Sequence, residues 1–381
     1  MKITKMETFL VAPRFLFLRV ETDEGLVGWG EPIVEGRAAT VRAAVEELSE
    51  YLIGSDPLRI EHHWQVLTKG GFYRGGPILA SAVAGIDQAL WDIAGKFHGV
   101  PTHQLLGGAV RDRVRVYGWV GGDVPTDLVE QVQAQLEAGF TAVKMNASGA
   151  TTPVDTLQTT KGIVARATLV REVLGDQRDL AIDFHGRLSS AMARRVLPEL
   201  EAVCPLFVEE PVLAEYSRDL GSLVGVSSVP LATGERLYSR WDFRDVLPTG
   251  IAVIQPDVSH AGGISELRRI AAMAEAWDVV VAPHCPLGPI SLAASLQVSF
   301  AIPNFLIQEQ AVTIHYNHGS DVLDYLVDRS PLRFEHGYVQ RPLMPGLGVQ
   351  VDEHAVRRAA ERGHRWRPPM WVHADGSFAE W

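Results

Sequence analysis

The sequence predicts an α/β protein built around a TIM-type barrel, with a small α+β capping domain before it and a closing segment after it. Three observations carry this expectation. Short apolar, β-branched runs recur roughly every 22 to 38 residues between Val116 and Gln310, the spacing of a βα unit, and eight such units close a barrel. Amphipathic stretches at helical spacing fill the gaps between them. No GxGxxG follows the first run, which weakens the competing architecture, an open doubly wound sheet.

Taken in order, the N-terminus reads as a strand, because Arg14 and Arg19 interrupt its apolar stretch and no long uninterrupted hydrophobic run follows. FLFLRVET (Phe15 to Thr22), Asp23-Glu24-Gly25 and LVGWGE (Leu26 to Glu31) read as two strands joined by a turn. Helical periodicity then spans Ala38 to Ile53, Pro57 to Lys69 and Ile78 to His98. These elements form a cap over residues 1–114. The barrel runs over 115–311 through VYGWV (Val116 to Val120), AVKMN (Ala142 to Asn146), LAIDFH (Leu180 to His185), LFVEE (Leu206 to Glu210), PLATGE (Pro230 to Glu235), AVIQPD (Ala252 to Asp257), VVVAPH (Val279 to His284) and FLIQEQ (Phe305 to Gln310). Amphipathic stretches from Thr126 to Ala138, Ile163 to Leu174, Ser190 to Ala202 and Ile264 to Trp277 read as intervening helices. Residues 312–381, rich in Gly, Pro and Trp, are expected to pack back on the cap.

Composition narrows the function classes. The 46% hydrophobic and 21% charged content is that of a chain able to bury a large core. A net charge of −11 opposes binding to nucleic acid or an anionic membrane surface. Two cysteines, Cys204 and Cys285, are too few for a disulfide framework and suit a reducing cytoplasm.

The chemistry is expected at the strand ends, because parallel strands of a barrel bring their C-terminal ends to one mouth. Asp183, Glu209 and Glu235 end three consecutive strands and should converge. Crowded carboxylates repel unless a positive charge sits among them, and all-oxygen ligation suits a hard divalent cation, Mg²⁺ above all. Glu210 should face the other way and pair with a basic residue. Asp257 and His284 end neighbouring strands, close enough for the carboxylate to orient the imidazole as a general base. Asp183 and His185, two apart, should point the same way, as should Lys144 and Asn146. Lys144 is either a substrate contact or one half of a buried ion pair. Cys285 reads as a small buried hydrophobe. The histidines outside the strand ends show no metal spacing and read as ordinary surface or core residues.

The order Lys144, Asp183, Glu209, Glu235, Asp257 with His284, then Glu309 resembles the enolase superfamily, mandelate racemase branch. TDEGLVGWGEP, GFYRGGPIL, AGIDQALWDI, EEPVLAE, QPDVSHAGGI, QEQ and the closing DGSFAEW extend the resemblance over nearly the whole chain, and DFHGR with APHCPLGPI narrows it to acid-sugar dehydratases. This resemblance implies the modified (β/α)7β form of the barrel. It also implies a sugar-acid carboxylate chelating Mg²⁺ on Asp183, Glu209 and Glu235, with His284 oriented by Asp257 as the base. His185 would be the acid and Glu309 a hydrogen-bonding partner of the enediolate. Asn146 stands where racemising relatives often carry a second Lys, which favours β-elimination. Arg37 and Arg74, on cap loops, are expected to touch substrate hydroxyls, with Lys144 and Asn146 as further contacts. The stretch from Ala147 to Lys161 departs most from the family. The resemblance also implies a homo-oligomer and is compatible with an octamer. Two other outcomes stay open: a dehydratase of a different aldonate or deoxy sugar acid, and a non-catalytic protein that binds metal and sugar acid.

Overall fold

ITKMETFLV, which turns apolar at Phe9-Leu10-Val11, and the apolar run of FLFLRVET form β1 (Ile3–Val11) and β2 (Phe15–Thr22), paired antiparallel, with β3 (Val27–Gly30) on the other edge of β2. The structure, a computed structural model, describes residues 1–121, 127–312, 314, 317 and 321–380. Helices α1 (Ala38–Ser49), α2 (Ile60–Lys69) and α3 (Pro77–His98) follow. The first two are shorter than their periodicity predicts, because Gly54, Asp56 and Pro57 impose turns between them. Helix α3 is buried over most of its length, starts on a proline and ends at Gly99 in the left-handed conformation. A short helix, α4 (Thr102–Leu105), and β4 (Arg113–Arg115) lead into the barrel.

Seven parallel strands form one sheet in chain order: β5 (Gly118–Val120), β6 (Ala142–Asn146), β7 (Asp179–Asp183), β8 (Phe207–Glu209), β9 (Leu231–Thr233), β10 (Val253–Ile254) and β11 (Val280–Val281). The helices between and after them are α5 (Leu128–Glu137), α6 (Leu157–Leu174), α7 (Ser190–Val196), α8 (Gly221–Val224), α9 (Arg240–Val246), α10 (Gly263–Glu275) and α11 (Pro289–Ala301). The expected eighth strand closes the ring through bridges only: Phe305 pairs with Val281, and Gln308 with Val116. Inside the ring, Tyr117, Ala142, Ala181, Phe207, Ala232, Val253, Ala282 and Ile307 form one buried cluster, with one residue from each strand segment. Small residues beside large ones let this layer fill without a void. The helix expected from Ser190 to Ala202 breaks at Pro198 into α7 and a 3-10 turn (Pro198–Val203).

After the barrel, β12 (Tyr338–Gln340) pairs with β4, and α12 (Glu353–Arg362) lies against the cap sheet. There Arg357 pairs with Glu7 and covers the Phe9 ring, while Arg19 pairs with Glu353. No helix among the described residues is long and apolar enough to cross a membrane.

Two buried carboxylates hold the cap on the barrel. Glu31, after β3, accepts from the backbone N–H groups of Gly288 and Ser291 at the start of α11, at 2.7 and 2.9 Å. Asp87, on α3, accepts from the Ser265 N–H at 3.0 Å and its hydroxyl at 2.5 Å, at the start of α10. Helix N-termini carry unsatisfied donors and partial positive charge, so both acids answer a real need. The approach is close enough to demand glycine: a Cβ on Gly288 would stand 2.5 Å from Glu31, and one on Gly263 2.5 Å from Asp87. Burial pushes the Glu31 carboxyl up to about 8 and that of Asp87 to about 7.

Two outcomes are expected. Glu31→Ala or Asp87→Ala strands buried N–H groups and lowers stability by about 1 to 3 kcal/mol in urea denaturation. Folding raises both carboxyl pKa values from the ordinary 4.5 and 3.8. The stability these acids contribute is therefore full at acid pH and is lost as pH rises through about 4 to 8. Accordingly, the gap in unfolding free energy between the native protein and the double alanine variant should shrink over that window. A gap that widens with pH would contradict the assignment.

Candidate active site

The strand ends meet at one mouth. Asp183 and Glu209 are the last residues of β7 and β8, while Glu235, Asp257, His284 and Glu309 lie just past their short strands. At the centre stands Lys144, fully buried on β6. Its Nζ lies 2.9 Å from both Glu209 oxygens, 2.8 Å from Glu309 Oε1 and 3.5 Å from Asp183 Oδ2. Burial disfavours the ammonium, yet Glu209 and Glu309 outweigh it and hold Lys144 well above its ordinary value. Burial also works against the Asp183 carboxylate, but His185 and Lys144 keep it below the usual range. Glu209 goes the other way, raised by burial and by the facing Asp183 against the pull of Lys144.

The expected His284 and Asp257 pair is present, with Nδ1 of the imidazole 2.7 Å from Asp257 Oδ2. The other Asp257 oxygen accepts from the Ser259 N–H at 2.6 Å, so the carboxylate is fixed. His284 Nε2 faces Glu235 Oε2 at 3.6 Å and Glu309 Oε2 at 3.8 Å. Burial opposes the imidazolium, but Glu309, Glu235 and Asp257 prevail and raise the ring well above its ordinary value. Glu309 also accepts from the Cys285 N–H at 2.9 Å. The Cys285 thiol is pushed up by burial, which suits an inert core residue.

His185 reaches the site by a different route from the one its spacing suggests. β7 ends at Asp183, and His185 sits in a turn at φ +50, its Nε2 2.9 Å from Asp183 Oδ2. Glu210 also has positive φ and turns away, as its alternation predicts, to pair with Arg236 at 2.7 Å and accept from Thr233 and Gly234.

A cavity of about 250 Å³ opens over this cluster, lined among others by Lys144, His185, Glu235, His284 and Glu309. Its cap wall is not the expected one. Arg37 and Arg74 are exposed and do not line it, since the 70–76 loop stands away over a separate cavity of about 590 Å³. Instead Arg14 and Glu35 do, paired at 2.9 Å, with Glu35 Oε2 3.5 Å from His260 Nε2. His260 is thus a site residue and not an ordinary core histidine. Arg14, a charge in the turn between the apolar strands β1 and β2, is the visible signal for this wall. Trp119 is a further lining residue hidden in an apolar run. Asn146 stands in register with Asp183 but does not line the cavity, its amide buried with no hydrogen-bond partner among the described residues.

The donor set suits a hard divalent cation. Asp183 and Glu209 meet at Lys144, Glu235 Oε2 is buried with no hydrogen-bond partner among the described residues, and ligand atoms of Asp183, His185 and Glu235 lie within 4.8 Å of one another. Orphaned carboxylate oxygens of this kind are what such a cation takes up.

Residues 4–107 match the family described as mandelate racemase / muconate lactonizing enzyme, N-terminal domain, and residues 127–355 the family described as enolase C-terminal domain-like. The D-galactonate dehydratases of Variovorax paradoxus (strain S110) and Ralstonia pickettii (strain 12J) are 53% and 52% identical to this chain, each over 100% of both sequences. The crystal structure of an enolase from Agrobacterium radiobacter with bound Na and L-malate superposes with a TM-score of 0.90 at 34% identity, covering 100% of both chains. A mandelate racemase/muconate lactonizing enzyme-like protein from Roseovarius sp. TM1035 gives 0.89 at 30%, covering 98% of this chain and 99% of its own.

Titration with Mg²⁺ should stabilise the unaltered protein by about 2.7 kcal/mol at a hundred-fold excess over Kd. The same increment is expected in Glu210→Gln and none in Glu235→Gln, read as shifts in melting temperature. Equal shifts in all three would place the cation elsewhere.

Proposed function

Because the chain belongs to the mandelate racemase/muconate lactonizing branch of the enolase superfamily, we propose that it is a Mg²⁺-dependent hydro-lyase that removes water from D-galactonate to give 2-dehydro-3-deoxy-D-galactonate. The observation that carries this reading is full-length identity above 50% to D-galactonate dehydratases, joined to two histidines facing one cavity from opposite sides of the barrel.

Asp183, Glu209 and Glu235 would hold the cation. When bound, it supplies a Lewis acid for the substrate carboxylate and offsets the charge of Glu235 beside His284. The remaining steps belong to the chain. Asp257 accepts from the His284 Nδ1–H, so Nε2 faces the cavity, and once the negative charge beside the ring is offset the neutral imidazole has its Nε2 lone pair free to remove the C2 proton. His185 donates a proton to the departing C3 hydroxyl, which leaves as water, and the resulting enol becomes the 2-keto acid. Lys144 and Glu309 stand beside the carboxyl end, where negative charge grows as the C2 proton leaves. With Asn146 where racemising relatives often carry a second lysine, that lysine base is missing from β6, and His185, across the cavity from His284, serves as the acid, which favours elimination over racemisation. Cys204 and Cys285 are free thiols, which suits the proposed cytoplasmic location. An oligomer formed through the cap, up to an octamer, completes the reading.

Incubation with Mg²⁺ and a panel of sugar acids should yield a 2-keto-3-deoxy product from D-galactonate in preference to other aldonates. His284→Asn should cut turnover by at least about 100-fold with metal binding retained. Undiminished turnover would remove His284 as the base, and a different preferred acid would move the substrate assignment.

A further inference from the structure

Trp119 is the middle residue of the GWV run of β5, next to Lys144 across the strand pair. Its side chain is 5% exposed, lines the active-site cavity, and packs against Ala311 and Ile314. Lys144 Nζ lies 5.0 Å from the centre of its ring, and the His185 ring stacks on it at 6.2 Å with an interplanar angle of 30°. Its backbone carbonyl is taken by Gln135, whereas the indole Nε1 is buried with no hydrogen-bond partner among the described residues.

An indole N–H can only donate, and a buried donor without an acceptor is costly. A phenylalanine would fill most of the same space without that cost, so the apolar contacts alone do not account for an N–H here. The nearby carboxylates of Glu209 and Glu309 are already engaged by Lys144. What the N–H lacks is an oxygen acceptor arriving through the cavity, and a polyhydroxy acid is a molecule rich in such oxygens.

We propose that Trp119 is a specificity-determining residue whose indole N–H donates to an oxygen of the bound sugar acid. This inference rests on the functional reading above. The oxygen belongs to the reacting end of the acid, because the Trp119 ring touches both Lys144, at the carboxyl end, and His185, at the leaving hydroxyl. The same ring shields Lys144 from water and fixes the plane of His185, so it acts as a wall as well as a donor.

The test is Trp119→Phe, which keeps an aromatic ring and deletes the N–H. KM for D-galactonate should rise about ten-fold with kcat within about two-fold and the melting temperature unchanged, the pattern of a lost binding contact. Trp119→His, which restores a ring N–H, should recover part of the loss. An unchanged KM overturns the proposal, as does a fall in kcat together with melting temperature, which marks a merely structural ring. A measurement that needs no change at Trp119 uses the His284→Asn protein, expected to hold D-galactonate without turning it over. Its ultraviolet resonance Raman difference spectrum should show one indole N–H band of the nine tryptophans shifting toward stronger hydrogen bonding, and no shift overturns the proposal. If the unaltered protein fails to dehydrate D-galactonate while other sugar acids still react, the substrate reading falls and Trp119 is tested on the acid that does react.

Discussion

The buried ammonium of Lys144 is the interaction on which the barrel mouth depends. Three carboxylates from three strands, Asp183, Glu209 and Glu309, lie within 3.5 Å of it with almost no exposure to water. Removing one partner of such a buried cluster leaves uncompensated charge, an effect of about 3 to 5 kcal/mol. The one ammonium faces more acidic side chains than it can pair with, before Glu235 is counted. The arrangement is stable as a fold and unfinished as an electrostatic site, which is the condition under which a divalent cation and an anionic substrate are both welcome. The overall charge of −11 says little about this, since the relevant balance is set within a few ångströms.

The cap contributes by the same physics in a different place. Glu31 and Asp87 supply acceptors to the starts of α11 and α10, and the glycines at 288 and 263 let them come close. That contact fixes the orientation of the segment after β3, and with it Glu35, against the barrel. Glu35 then meets Arg14 and His260 to form a charged wall opposite the carboxylate cluster. Here too burial works against the Glu35 carboxylate, but His260 and Arg14 hold it well below its ordinary range. The cavity is therefore a product of both parts of the chain, with the barrel bringing the acids and histidines and the cap bringing a fixed polar rim.

Much of this is legible in the sequence. The βα rhythm depends on chain spacing, a local property, and the strand-end acids and histidines fall where that rhythm ends. His284 with Asp257, and Glu210 turned to Arg236, follow from adjacency and alternation alone. Other features depend on contacts between distant segments. Arg37 and Arg74 sit on glycine-containing loops whose sequence predicts closure over the mouth, yet Arg14 and Glu35 occupy the wall, because the path of the cap is set by the docking of Glu31 and Asp87 on helices some 180 to 260 residues away. His185 shows a subtler limit. Its position was inferred from strand alternation, but the strand stops at Asp183 and a positive φ swings the residue inward. Strands as short as Val253–Ile254 leave little for alternation to act on.

The central claim, a cation held by Asp183, Glu209 and Glu235 at the mouth, is tested most directly by anomalous diffraction from crystals soaked in Mn²⁺ in place of Mg²⁺. A single strong peak among these three carboxylates, with oxygen distances suited to a hard cation, is the expected result. Among the described residues, Asp257, His260 and His284 form a separate group whose ligand atoms are close enough to hold an ion. A peak there, or none at saturating Mn²⁺, would contradict the account, because it would take the base away from its proposed role or leave the carboxylate cluster to Lys144 alone.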